Sequence, residues 1–158
     1  MAKALLLVAL VSFLSVGCLE AATESIQPAV DFSLQDMNDN TVTLSSYKNN
    51  KAVILFFWNT ACQLCGKEMS MLSDLDPFLS KEGIVILAVD IGESKQKVSA
   101  FLKNLVSSFK VLLDNNVSVA SEYDIAGVPT YVLINKKGNV VFRGHFFPTS
   151  KYKELLLK

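Results

Sequence analysis

The pattern of apolar positions from residue 28 onward predicts an α/β domain. Two unbroken apolar runs stand out, at 52–58 and at 84–89. Runs of this length that are rich in branched and aromatic side chains are typical of strands covered on both faces, as in a parallel sheet between helices. We therefore expect these two segments to form the centre of a sheet that carries helices on both sides.

Turn-rich segments between short strand patterns predict two hairpins around this centre. The alternating segments 32–34 and 42–44 flank the turn-rich residues 36–40, which favours an N-terminal β-hairpin. A second hairpin is expected from strands at 131–134 and 139–143. These additions give a mixed rather than a purely parallel sheet.

Helical periodicity accounts for the segments between the strands. The first helix is expected over 62–81, where Cys65, Met69 and Leu72 fall on one stripe and Pro77 should kink or restart the helix. Ser94 is a suitable N-cap for a second helix. The apolar face of that second helix comprises Val98, Phe101, Leu102, Leu105 and Val106. The remaining elements expected are a strand at 110–114, a helix at 117–123 and a terminal helix from about residue 149.

The first 27 residues do not follow the pattern of the domain. Lys3 is followed by an uncharged apolar stretch over 4–17. As a helix this stretch would span about 21 Å, which is short of the roughly 30 Å hydrocarbon core of a bilayer. We therefore interpret residues 1–17 as a signal peptide, 18–27 as a polar tether and 28–158 as the folded domain.

Composition and charge narrow the classes of function. The chain has 158 residues, of which 51% are hydrophobic, and this favours a packed core over disorder. Its formal net charge is zero and it has no run of lysine or arginine, which argues against nucleic acid as a partner. Charge indicates no other partner, and we expect a monomer.

A pair of cysteines with two residues between them carries the candidate chemistry. Cys62 and Cys65 follow a buried strand at the expected start of a helix, where two sulfurs can meet across one helical turn. The positive end of the helix dipole favours a thiolate at Cys62, which makes this residue the expected nucleophile. Cys65 lies one turn deeper and is the expected resolving thiol.

Other interpretations of the pair find less support in the sequence. Structural zinc requires four ligands, and only Cys18 and His145 are left to complete such a set. Covalent haem needs a histidine where Gly66 stands. A purely structural disulfide remains open, although so small a loop gains little stability. We expect neither a metal nor another cofactor.

The segments 57–69 and 127–130 together resemble the active-site signatures of TlpA/ResA-like thioredoxins. The resemblance extends along the chain from Pro28. It implies a thioredoxin-like three-layer sandwich with an N-terminal β-hairpin, and a thiol-disulfide oxidoreductase that acts on cysteine-bearing protein clients. The uncharged Gln63 and Leu64 between the cysteines favour a reductant over a strong oxidant. We therefore hypothesise a reductant, for example in cytochrome c maturation, that is recharged by a membrane electron donor.

The resemblance also implies roles for residues outside the pair. Pro129 would be a cis-proline that faces the disulfide, with the backbone of Val128 and the neighbouring Thr130 binding an extended client segment. An ordinary turn proline is the alternative. Trp58 would shape the docking surface, unless it is simply a core aromatic at the end of a strand. Glu68 would relay a proton near Cys65, unless it is only an acidic residue favoured at a helix N-terminus.

The residues before Cys18 resemble a bacterial lipobox, although Ser15 stands where such motifs usually carry leucine. This resemblance implies that Cys18 is lipidated and that the domain is tethered to a membrane outside the cytoplasm, in the periplasm or at the cell surface. A plain secretory signal or an uncleaved N-terminal anchor is the alternative.

Two other functions stay open at this point. A copper-handling module would use Cys62, Cys65 and His145, but the related Sco-type folds have three residues between their cysteines. A thiol peroxidase is similar in its opening and first central strand, yet peroxiredoxins carry threonine or serine where Asn59 stands. Asp90 follows an apolar run, at the kind of strand end where α/β folds place functional groups, although a loop or helix-capping role is the default expectation. His145 is interpreted as a surface residue.

Overall fold

The computed structural model describes residues 27–103, 105 and 108–157. The predicted signal peptide, lipid attachment at Cys18, the tether up to residue 26 and the predicted contact of Val106 lie outside the described residues. Within the described part, no helix combines the length and the apolar character needed to cross a bilayer.

Within the described residues, eight strands form a single sheet. They are β1 (Gln27–Pro28), β2 (Ser33–Asp36), β3 (Thr41–Thr43), β4 (Ala52–Trp58), β5 (Ile84–Ile91), β6 (Lys110–Asp114), β7 (Thr130–Ile134) and β8 (Asn139–Gly144). The order across the sheet is β1-β8-β7-β4-β5-β6-β2-β3. The three central strands β4, β5 and β6 run parallel, and every other pairing is antiparallel. The mixed sheet predicted from the sequence is thereby confirmed.

In the part of the chain that the structure describes, four α-helices and one 3-10 helix cover the sheet. They are the 3-10 helix Leu44–Tyr47, α1 (Cys65–Lys81), α2 (Lys95–Leu102), α3 (Ser118–Glu122) and α4 (Tyr152–Leu157). The hydroxyl of Ser94 accepts a hydrogen bond from the N–H of Lys97 at 3.3 Å, which confirms the predicted N-cap of α2.

The sheet separates two apolar cores. Alternate residues of β4 point to opposite faces, so that Phe56 and Trp58 join one core while Phe57 joins the other. The first core contains the buried faces of α1, α2 and α4. The second contains α3 and the N-terminal hairpin. Because β4 and β5 are covered on both sides, their sequences read as unbroken apolar runs.

Residues 29–32, here called the N-terminal strap, connect β1 at one edge of the sheet with β2 near the other edge. Ala29 and Phe32 pack against the second core. The hydroxyl of Tyr123 donates a hydrogen bond to the carbonyl of Val30 at 2.7 Å. The strap therefore lies over this face of the sheet.

Several predicted boundaries differ from the structure. The helix expected from residue 62 begins at Cys65, because residues 63 and 64 form a turn. Pro77 was expected to kink or restart that helix, yet α1 runs as one element through it. Leu105 lies beyond the end of α2, although it still packs against the first core. The short strand β1, which pairs Gln27 with Val140, has no periodic signal in the sequence.

Candidate functional site

The site lies at the end of the sheet where the parallel strands finish. Strand β4 ends at Trp58, and the following loop leads to Cys62 and then to α1 at Cys65. Strand β7 begins at the same end, because Thr130 pairs with Phe57. The loop with the cysteines and the segment before β7 are thus brought to one edge of the molecule.

Cys62 and Cys65 are joined by a disulfide, with 5.3 Å between their Cα atoms. Their surroundings differ: Cys62 is half-buried, whereas Cys65 has no exposed surface and belongs to the first core. The N–H of Cys65 donates a hydrogen bond to the sulfur of Cys62 at 3.2 Å. A donor at this place, at the first turn of a helix, stabilises negative charge on Cys62 once the bond is reduced.

The peptide bond between Val128 and Pro129 is cis, as the resemblance implied. Val128 is half-buried and Pro129 is buried. Beside this segment lies a cleft of about 290 Å³ whose charged and polar lining includes Asp124, Arg143 and His145.

Thr130 and His145 hold the proline segment from behind. The Thr130 hydroxyl donates to the carbonyl of Gly127 at 2.6 Å. His145 is exposed, and its Nδ1 lies 2.8 Å from the carbonyl oxygen of Pro129, to which it can donate. Thr130 itself is 4% exposed, so its side chain orders the turn and offers little surface to a client. The expectation of direct client binding by Thr130 is therefore corrected for its side chain.

Glu68 connects α1 to the strand that follows the cis-proline. It is half-buried, and its Oε2 accepts a hydrogen bond from the hydroxyl of Tyr131, a fully buried residue of β7. Burial, together with the hydrogen bond to Glu68, raises the pKa of Tyr131 above its usual range, so this hydroxyl remains a donor. Glu68 thus stands one turn beyond Cys65 in a fixed position.

Trp58 is fully buried and does not form an open docking surface. Its ring stacks against Phe101 of α2 with 5.2 Å between the ring centroids. Two roles were expected for Trp58, and the structure supports that of a core aromatic residue at the end of a strand. The expectation that it contacts a client is corrected, because a side chain without exposed surface cannot do so in this state.

Asp90 is also placed differently from its interpretation. It lies inside β5, fully buried, and α2 is capped by Ser94 instead. Three residues later, Glu93 accepts hydrogen bonds from both the N–H and the hydroxyl of Thr60, each at 2.7 Å. Thr60 precedes Cys62 by two residues, so this pair of carboxyls belongs to the surroundings of the disulfide.

Metal binding at the disulfide finds little support in the geometry. No cluster of three or more histidine, cysteine or acidic residues within the described ranges could hold an ion. Cys62 and Cys65 are bonded to each other, and Nδ1 of His145 faces the carbonyl of Pro129. The three residues that a copper site would require are therefore occupied otherwise in this state.

Comparison with known proteins identifies the family. The sequence profile described as the AhpC/TSA family matches residues 26–143. The thiol-disulfide oxidoreductase ResA of Bacillus subtilis is 39% identical over 124 residues, which cover 77% of this chain and 69% of that protein. This chain belongs to the AhpC/TSA family and is ResA-like. ResA of Geobacillus kaustophilus is 38% identical over 112 residues, 71% of this chain, and the match spans 64% of the length of that relative.

Solved structures confirm the predicted thioredoxin-like sandwich of this ResA-like chain. The exposed lipoprotein thioredoxin Etrx1 of Streptococcus pneumoniae superposes with a TM-score of 0.70 at 26% sequence identity. The superposition covers 80% of this chain and the whole of that structure. The predicted membership of the TlpA/ResA-like thioredoxins and the predicted fold class both agree with these comparisons.

Two residues at the site of this ResA-like chain were not found from the sequence. Tyr131 could have been inferred, since it starts the apolar run that directly follows the proline signature. Glu93 gave no signal, because 33 residues separate it from Thr60 and only the fold brings them together.

Proposed function

We propose that this chain is a thiol-disulfide oxidoreductase that reduces disulfide bonds in cysteine-bearing client proteins. The observation that carries the proposal is the asymmetry of the pair. Cys62 is accessible and its sulfur accepts an N–H donor, while Cys65 is buried directly behind it. A nucleophile and a resolving thiol need these two environments.

The reaction proceeds in two exchanges that conserve atoms and electrons. In the reduced protein the Cys62 thiolate attacks one sulfur of a client disulfide, that bond breaks, and the other client sulfur leaves as a thiolate and takes up a proton. Cys65 then loses its proton and attacks the sulfur of Cys62, which releases the second client thiol. Two electrons pass to the client, and Cys62 and Cys65 end as the observed disulfide.

The surface around the pair supports a polypeptide client. The cis-proline segment lies at the same end of the sheet as the disulfide and is the expected docking site, and a cleft with Asp124, Arg143 and His145 lies beside that segment. Leu64, between the cysteines, is 55% exposed and available for apolar contact. Clients with paired cysteines, such as apocytochromes before haem attachment, fit this chemistry.

We further infer that the chain works outside the cytoplasm, attached to a membrane through Cys18 or the N-terminal apolar segment, and that a membrane donor returns two electrons to the disulfide. The apolar stretch over 4–17 and the residues before Cys18 support this inference. The lipoprotein character stated for Etrx1 of Streptococcus pneumoniae supports it by similarity.

Reduction of insulin by the full chain, purified in detergent and recharged with dithiothreitol, tests the activity. We expect Cys62→Ser to abolish turnover and Cys65→Ser to accumulate a mixed disulfide that dithiothreitol releases. Cys18→Ser is the matched control, which should keep full turnover while losing its membrane association in cell fractionation. Turnover that persists in Cys62→Ser would refute the proposal.

The direction of electron flow is tested by the reduction potential of the pair. Gln63 and Leu64 place no cation between the cysteines to stabilise a thiolate strongly. We expect a potential nearer to the about −270 mV of thioredoxin than to the about −120 mV of the oxidant DsbA. A value at the oxidising end would assign the opposite direction.

A further inference from the structure

A single carboxylate holds the loop that carries Cys62. Glu93 reaches from the segment after β5 and accepts both hydrogen bonds that Thr60 donates. Its side chain is only 9% exposed, and the ammonium of Lys97 lies 2.6 Å from its Oε1. A buried, charge-assisted contact of this kind fixes the position of the loop two residues before the nucleophile.

Three residues before Glu93 stands a second carboxyl, that of Asp90, and neither of its buried oxygens has a hydrogen-bond partner among the described residues. Asp90 is fully buried and lies beside Trp58 in the register of the parallel strands, on the face of the sheet that holds Cys65. Burial, and then the neighbouring Glu93, raise the pKa of Asp90 to about 8. Burial alone would raise the pKa of Glu93 too, but Lys97 and Thr60 outweigh it and lower that pKa to about 2.

At neutral pH the two carboxyls therefore share one negative charge. Asp90, whose two buried oxygens have no hydrogen-bond partner among the described residues, keeps its proton, whereas Glu93 is ionised and paired with the ammonium of Lys97. An uncompensated second carboxylate at a site without solvent would be costly.

Among the described residues, the first core on this face also contains the titratable groups of Cys62, Cys65 and Tyr131. Strand β4 presents Trp58 and β6 presents Leu113 beside Asp90 in the sheet. Helix α2 contributes the ring of Phe101, which packs on Trp58. From α1, Cys65 lies in the same core and titrates only in the reduced protein.

We propose that Asp90 and Glu93 are a proton-linked pair of positioning residues for Cys62. When Asp90 is protonated, it adds no charge near the loop that carries Cys62, and Glu93 keeps its hydrogen bonds to Thr60. Without that proton, two adjacent carboxylates repel each other, the hold on Thr60 weakens, and the added negative charge disfavours a thiolate at Cys62. The consequence for catalysis rests on the proposed function, whereas the titration of the pair does not.

The pair can be observed in the oxidised protein, in which neither cysteine of the disulfide titrates. We expect the amide nitrogen signal of Thr60 in NMR spectra recorded from pH 6 to pH 9 to shift with a midpoint near 8. Asp90→Asn, which keeps the shape but cannot ionise, should abolish the shift. A Thr60 signal that stays constant in the wild-type protein overturns the proposal, as does one that moves equally in Asp90→Asn.

Asp114→Asn is the matched control. Asp114 is another fully buried aspartate at the end of the adjacent strand β6, where it accepts the N–H groups of Val119 and Ala120. This variant should keep the Thr60 transition. Should Asp90→Asn fail to fold, Glu93→Gln replaces it: removal of the neighbouring charge should move the midpoint to lower pH, and an unchanged midpoint counts against the pair.

The link to Cys62 is measured on the reduced protein by thiolate absorbance at 240 nm. We expect thiolate formation at lower pH in Asp90→Asn than in the wild type, where ionised Asp90 opposes it. Curves that coincide would remove the positioning role. Client turnover of the wild-type protein is measured in parallel. A wild-type protein without turnover would refute the proposed function, whereas the comparison of the two thiolate titrations would still test the positioning role.

Discussion

Asp90 makes the stability of the folded protein depend on pH. Its folded pKa of about 8 lies above the ordinary value of 3.8, so the native state keeps a proton that the unfolded chain has lost. The stability associated with this group is therefore fully present below about pH 4 and is lost as pH rises through about 8. Glu93, with a lowered pKa, acts oppositely and loses its contribution only as pH falls toward about 2.

We predict that the free energy of unfolding is largest near pH 5 and decreases toward pH 8.5. The upper limit of the decrease is about 1.4 kcal/mol per pH unit for one proton. Urea unfolding of the oxidised protein at pH 5, 7 and 8.5 measures it. Asp90→Asn should flatten this dependence, and stability that rises over the same range in the wild type contradicts the assignment.

Tyr131 offers a test of the contact with Glu68. We predict that Tyr131→Phe destabilises the protein by about 2 kcal/mol, because a buried hydrogen bond to a carboxylate is lost. Client exchange should also slow, since α1 then loses its link to β7 one turn beyond Cys65. Denaturant unfolding and insulin turnover measure the two effects. Unchanged turnover would show that client exchange does not depend on the contact that fixes the position of Glu68.

Residues of the site were predictable where they are neighbours in the sequence. Cys62, Cys65 and Pro129 belong to compact motifs, and their types and spacing indicate the chemistry directly. The contact between Glu93 and Thr60 joins two loops through the pairing of β4 with β5, so no local pattern could reveal it. The burial of Trp58 likewise depends on Phe101 from a distant helix.

At the scale of elements, helix α1 contains Pro77, although proline normally interrupts a helix. Pro77 is exposed and lies in the last part of a helix that continues on both sides of it. Proline lacks the N–H of a helical residue and crowds the preceding turn.

We predict that Pro77→Ala stabilises the protein by about 1 kcal/mol, because the gain in helix geometry exceeds the greater freedom of the unfolded chain. A higher midpoint of thermal unfolding measures it. Ser80→Ala, at another exposed position of the same helix, is the control for a general effect of alanine. A lower midpoint in Pro77→Ala would show that the proline suits its local geometry.

Elements marked by a strong local sequence pattern were predicted with good boundaries, and those defined by pairing alone were not. The predicted strands 52–58 and 110–114 coincide with β4 and β6, whose apolar runs end at polar residues. The two residues of β1 have no period, and their strand exists only because β8 lies beside them. The start of α1 was misplaced because a turn and a first helical turn share the same composition.

At the scale of the molecule, the N-terminal strap ties the two edges of the sheet together. Its anchor is the hydrogen bond from the buried Tyr123 to the carbonyl of Val30. We predict that Tyr123→Phe costs about 1 kcal/mol and speeds hydrogen exchange in residues 29–32. Client turnover should stay unchanged, which makes this variant the matched control for Tyr131→Phe. Slower turnover would mean that the strap influences the disulfide from the opposite face.

The position of Gln27 decides how an anchored molecule would be oriented. Gln27 pairs with Val140, and the register through β7 places both at the end of the sheet farthest from Cys62. A lipid attached upstream of Gln27 would thus hold the domain at the end of the sheet opposite to Cys62. The sulfur of Cys62 would then face the aqueous space in which clients diffuse. A donor that stays in the bilayer would then face the end of the domain opposite to the disulfide.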